Sequence, residues 1–111
     1  MTTYFSHEYI DQPGITDETI YTSPANTVTR IAKCTVTNDA AGAATITFNK
    51  VPLAGTAGDT NLILKDKAIG GYETYDCPEV VGQILNAGGF LSAKASDADQ
   101  LTVSLDVIKV V

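Results

Sequence analysis

From Ile20 onward, turn-forming residues interrupt the chain every 8 to 12 positions, and the stretches between them alternate apolar with polar side chains. That rhythm constrains the fold more than any composition figure. A period of two is a strand with one face buried, and many short strands at even spacing build a sandwich or a jelly roll. The clearest case is TVTRIAKCTVTN, residues 27–38. Val28, Arg30, Ala32, Cys34 and Val36 read as its mostly apolar face, with Thr27, Thr29, Ile31, Lys33, Thr35 and Thr37 opposite. Threonine suits an outer face because it tolerates both the pleat and water.

The remaining segments follow the same grammar. Residues 20–22 form a short strand stopped by the Pro24 and Asn26 turn. After Thr37 a turn is expected, with Asn38, Asp39 and Gly42 able to take positive φ. Residues 45–51 carry Ile46 and Phe48 on one face, and residues 61–69 carry Leu62 and Leu64 on one face, with a helical turn as an alternative start. Strands are also expected at 72–77, 80–85 and 90–95. In the last strand, 101–111, Leu101, Val103, Leu105, Val107 and Val111 share the core face with Lys109 as its one polar member. The reading is therefore an all-β chain: an N-terminal arm over residues 1–18, then an antiparallel β-sandwich or jelly roll of about eight short strands over residues 19–111.

The bulk numbers exclude several function classes. At 44% hydrophobic residues, 111 residues can build a core without metals or disulfides. Thirteen acidic residues against seven basic ones give a net charge of −6, and the lysines are scattered, so the basic footprint of a nucleic-acid binder is missing. No apolar run approaches the roughly 20 residues of a membrane-spanning helix. The start, MTTYFSHEYIDQPG, lacks the basic and apolar regions of a signal peptide, so folding in a cytoplasm is expected. Cys34 and Cys77 are then expected as thiols, with Cys34 filling space in the core; a disulfide would require an oxidising compartment.

Catalytic chemistry finds little purchase. His7 is the one histidine and lies in the arm, a poor place for a general base that must be held by a third group. One histidine and two cysteines do not make a convincing zinc set. Asp97 and Asp99 supply two carboxylates where calcium takes six to eight oxygens, so they read as solvated turn acids, as does Asp59. The glycine-rich loop at residues 54–60 lacks the lysine and spacing of a phosphate loop. No enzyme activity, metal or cofactor is expected. The arm is more informative: Tyr4, Phe5, Tyr9 and Ile10 either fold back over the sandwich or dock on a neighbouring subunit. Ile108 and Val110 point away from the core face of the last strand and raise the same question. These six residues are the partner-binding candidates.

The runs IYTSPANTVTRIAKCTVTN, TITFNKV and ILNAGGFLSAKASDADQLTVSLDVIKVV resemble the small all-β virion proteins of tailed bacteriophages. The features that carry the likeness are Tyr21, Thr22 and Pro24, then Val36 and Asn38, then Leu85 and Gly88. Length and acidic all-β character resemble, more narrowly, the capsid decoration (staple) proteins of epsilon-15-like short-tailed phages. The resemblance implies a jelly roll on the outside of an HK97-type icosahedral shell. Such a protein clamps neighbouring major capsid subunits against internal DNA pressure. The turn NAGG departs from the Gly-Asp that related strands carry, and the arm lies outside the general pattern. A two-fold dimer through the exposed terminal strand is compatible with this reading. The alternative is a tail-fibre module that binds a receptor or carbohydrate; a hydrolase using two loop carboxylates is a third class.

Overall fold

The computed structural model describes residues 1–111. Nine strands follow one another: β1 (Thr3–Asp11), β2 (Glu18–Thr22), β3 (Val28–Asn38), β4 (Ala44–Val51), β5 (Leu62–Ile69), β6 (Thr74–Tyr75), β7 (Ile84–Leu85), β8 (Phe90–Ala95) and β9 (Leu101–Val110). A single 3₁₀ turn, Asp59–Asn61, leads into β5. The first sheet runs β1-β9-β3-β6, with β7 also paired to β3, and the second runs β2-β8-β4-β5. All pairs are antiparallel.

The order of pairing explains the architecture. β1 pairs with β9, β2 with β8, β3 with β6 and β7, and β4 with β5, as in one long hairpin. Wrapping that hairpin over two layers adds the contacts β9 to β3 and β8 to β4. This is the jelly-roll arrangement of two Greek keys. Its core lies between the sheets, where Ile31, Cys34, Val36, Ile46, Phe48, Leu91, Leu101, Val103, Leu105 and Val107 are all fully buried.

Five expectations need correction. Residues 3–11 are not outside the strand framework: they form the edge strand of the first sheet, and His7 sits in it beside Asp106. The faces of β3 exchange partway along. Thr29 and Ile31 are buried while Val28 and Arg30 are exposed, yet beyond Ala32 it is Cys34, Val36 and Asn38 that are buried. A β-bulge between Ile31 and Lys33 inserts one residue and flips the parity, which keeps Arg30 out of the core. Asn38 takes no positive φ, and neither do Asp39 or Gly42; Asn38 is instead a buried cross-link. The strands expected at 72–77 and 80–85 shrink to two residues each, because Tyr72 (φ 59°), Cys77 (φ 46°) and Gly82 (φ 92°) turn the chain out of the ladder. Val111 also lies past the end of β9 and is exposed.

Candidate partner-binding surface

β9 sets the geometry, because it alternates without interruption. Leu101, Val103, Leu105 and Val107 face the core, so Thr102, Ser104, Asp106, Ile108 and Val110 face outward. Its neighbours on either side both carry a bulge next to Asp106, between His7 and Tyr9 in β1 and between Ile31 and Lys33 in β3. Toward the end of β9 the register then aligns apolar side chains across the outer face. Phe5 faces Ile108, Ile108 faces Arg30, and Arg30 faces Ile84. In the adjacent row Thr3 faces Val110, which faces Val28. Phe5 is 80% exposed, Val28 44% and Ile84 43%.

Single exposed hydrophobic residues are ordinary, whereas a contiguous group on one sheet face marks an interaction site. Five apolar side chains surrounding one arginine make such a group. Ile84 also borders a cleft of about 380 Å³ between residues 50–53 and 84–87.

Of the six candidates, the fold brings Phe5, Ile108 and Val110 together on this face. Ile10 is exposed opposite Ser104, farther along the same side. Tyr4 and Tyr9 belong to the inner side. Tyr9 packs against the core, and burial, with Glu18 and Asp11 nearby, pushes its phenol up to about 12. Tyr4 is paired with Lys109 at the mouth of the sandwich. Val28 and Ile84 were not expected there. The sequence signal for Val28 is the spacing of three between the buried Ile31 and Cys34, which breaks the period of two.

Lys109, the odd polar residue on the inner face of β9, is accommodated by its neighbours. Its Nζ donates to Glu8 Oε2 at 2.8 Å and lies 5.9 Å and 5.8 Å from the ring centroids of Tyr4 and Tyr21. Burial pushes the Glu8 carboxyl up, but hydrogen bonds from Lys109 and Ser6, with the nearby positive charge, outweigh it and hold the group below its ordinary value. The bond to Glu8 raises Lys109 in turn. Because Glu8 is depressed in the folded state, the pair's stabilisation is present above the ordinary carboxylate range and is lost as pH falls through the folded value. Lys109→Met should therefore cost about 2 kcal/mol at pH 7, since it strands a mostly buried carboxylate. The deficit should shrink in urea titrations as pH falls through the depressed folded value of Glu8, below which its carboxyl is protonated in both states.

The outer face also carries the one histidine. His7 Nδ1 lies 2.6 Å from Asp106 Oδ1, and both side chains are about half exposed. The adjacent Ser6 hydroxyl donates to Glu8 rather than to the imidazole. Nowhere do three histidine, cysteine, aspartate or glutamate side chains converge as metal ligands would.

No protein-family model matches the chain, and no curated protein matches it. Among solved structures it is similar to one of infectious bursal disease virus, Gx strain, with 15% identity and a TM-score of 0.51, over 97% of this chain and 32% of that one. The VP2 subviral particle of the same virus aligns at 12% identity and a TM-score of 0.49, again over 97% and 32% of the respective chains. The likeness is one of fold. This chain spans about a third of the length of those it matches.

Proposed function

We propose that the chain is a non-enzymatic structural protein of a virus particle, and within that class a capsid decoration protein. It clamps neighbouring major capsid subunits of an HK97-type shell from outside, with the outer face of the first sheet as its docking surface. One observation carries the reading: an acidic domain of net charge −6 keeps Phe5, Val28, Ile84, Ile108 and Val110 together on a single solvent-facing side. Buried aromatic and aliphatic anchors supply most binding energy, while charged residues at the rim supply little. The jelly-roll fold, used widely in viral shells, supports the class, as does the sequence resemblance to phage virion proteins. A part that touches two subunits makes its second contact intramolecular, so modest anchors suffice. The terminal strand β9 lies between β1 and β3 and offers no free edge, so a two-fold pairing between copies would use the β1 edge instead.

The test is co-sedimentation with undecorated shells of an epsilon-15-like phage. Wild type should bind saturably at a fixed ratio to the major capsid protein. Phe5→Ser should weaken binding about 30-fold, as expected for losing one anchor of about 2 kcal/mol, while its melting midpoint stays near wild type. Binding of the variant at wild-type strength would remove this face from the interface. No binding by wild type would remove the decoration reading and make a glycan screen the next assay, for the tail-fibre alternative.

A further inference from the structure

We propose that Cys34 and Cys77 form an intramolecular disulfide site, one that closes when the chain folds in an oxidising medium. The sheet register makes the case. β3 and β6 pair Thr37 with Thr74 and Val36 with Tyr75, and the Asn38 amide donates to the Glu73 carbonyl at 2.8 Å. Each step back along β3 is matched by one step forward along β6. The pairing ends at Val36 and Tyr75, two residues after Cys34 along β3 and two residues before Cys77, and continuing its register by those two steps places Cys77 level with Cys34.

Residues directly opposite in an antiparallel pair have Cα atoms about 4.5–5.5 Å apart, inside the roughly 4.4–6.8 Å span of a disulfide. Both side chains are fully buried in the same core cluster. The Cys77 thiol donates to the Tyr75 carbonyl at 3.7 Å, and interaction with Cys77, together with burial, pushes the Cys34 thiol well above its ordinary range.

The local backbone fits this role. Cys77 has φ 46°, in the left-handed region, where a side chain is rarely placed without compensation. Its carbonyl accepts from the amides of Val80 and Val81 at 2.9 and 3.1 Å, which closes a tight turn immediately after β6. The turn swings the chain off the sheet while leaving the thiol in the core. In the structure both cysteines are free thiols.

Chemically the closure is an exchange with a small disulfide such as oxidised glutathione. One cysteine thiolate attacks a glutathione sulfur, forms a mixed disulfide and releases one glutathione thiol. The second cysteine then attacks the protein sulfur of that mixed disulfide and releases the other. Two protein thiols are oxidised, one small disulfide is reduced to two thiols, and the two protons end on the glutathiones. Burial and the raised thiol make this slow in the folded state. It is gated by opening of residues 74–85, which hold to β3 through two strands of two residues each. Closure ties β3 to a position 43 residues downstream and restricts the unfolded chain.

The experiment uses the full chain and is independent of any capsid role. The protein is unfolded in urea, refolded in an oxidising glutathione buffer, then denatured and alkylated with N-ethylmaleimide. Intact mass should show a monomer without maleimide, and non-reducing digestion should give the Cys34 and Cys77 peptides joined. The melting midpoint should exceed that of the reduced protein by about 10 °C. Complete alkylation of both cysteines would overturn the proposal. So would stable glutathione adducts, linkage only between chains, or a linked form that melts below the reduced one.

Discussion

Asn38→Asp is expected to destabilise the protein by about 4 kcal/mol at pH 7, although it exchanges one amide for an isosteric carboxylate. Asn38 is almost fully buried at the end of β3. Its Nδ2 donates to the carbonyls of Gly42 at 2.9 Å, Ile69 at 3.0 Å and Gly70 at 3.2 Å, and its Oδ1 accepts from the Ala40 amide at 3.0 Å. The residue thus ties the β3–β4 turn to the end of β5. A carboxylate keeps the acceptor and loses the donor, leaving an oxygen aimed at three carbonyl oxygens in a buried site. Protonation restores one donor, so the new carboxyl should have a raised folded value. The variant's deficit should then be smallest below the unfolded value near about 3.9 and should grow as pH rises through the folded one. Urea unfolding at pH 4 and pH 7 measures both. A variant within about 1 kcal/mol of wild type at pH 7 would show that the amide bridges nothing of consequence.

The alternation that predicted strands is strongest where a strand lies straight and one side is core. β9 and the second half of β3 were therefore legible from residue types alone. What escaped was non-local or backbone in origin. β1 meets β9 across nearly the whole chain, and no local pattern announces that pairing; an aromatic edge strand and a mobile arm look alike in sequence. The bulges in β1 and β3 each cost one residue of register, and one residue is enough to turn Val28 from the expected core face to solvent. The short β6 and β7 follow from left-handed backbone at Tyr72 and Cys77, residue types that give no warning of it. The candidate surface was accordingly half legible. Ile108 and Val110 could be placed outward from β9 alone, and Phe5 could be suspected, but Val28 and Ile84 join them only once the bulge and the β7 pairing are known.

Removal of residues 1–12 should unfold the domain rather than release a tether. β1 pairs with β9 along eight residue positions, Tyr9 packs on the core, and Glu8 is the partner of Lys109. Losing that many backbone hydrogen bonds, at about 0.5–1.5 kcal/mol each, rivals the roughly 5–15 kcal/mol that holds a whole domain together. It would also turn β9 into an edge ten residues long, apolar at its last two outward positions, Ile108 and Val110. Such an edge pairs with other chains. The truncated protein is expected to aggregate or to lose cooperative melting, as read by light scattering and near-UV circular dichroism. A truncated chain that melts at the wild-type midpoint would instead make β1 a detachable arm. The distinction decides how docking can be measured. Failure of a truncated chain to bind shells would report a lost fold, whereas Phe5 faces away from the core on the same strand whose other side carries Tyr9. Stability and the proposed docking thus fall on opposite faces of β1, and only substitution of the outward face separates them.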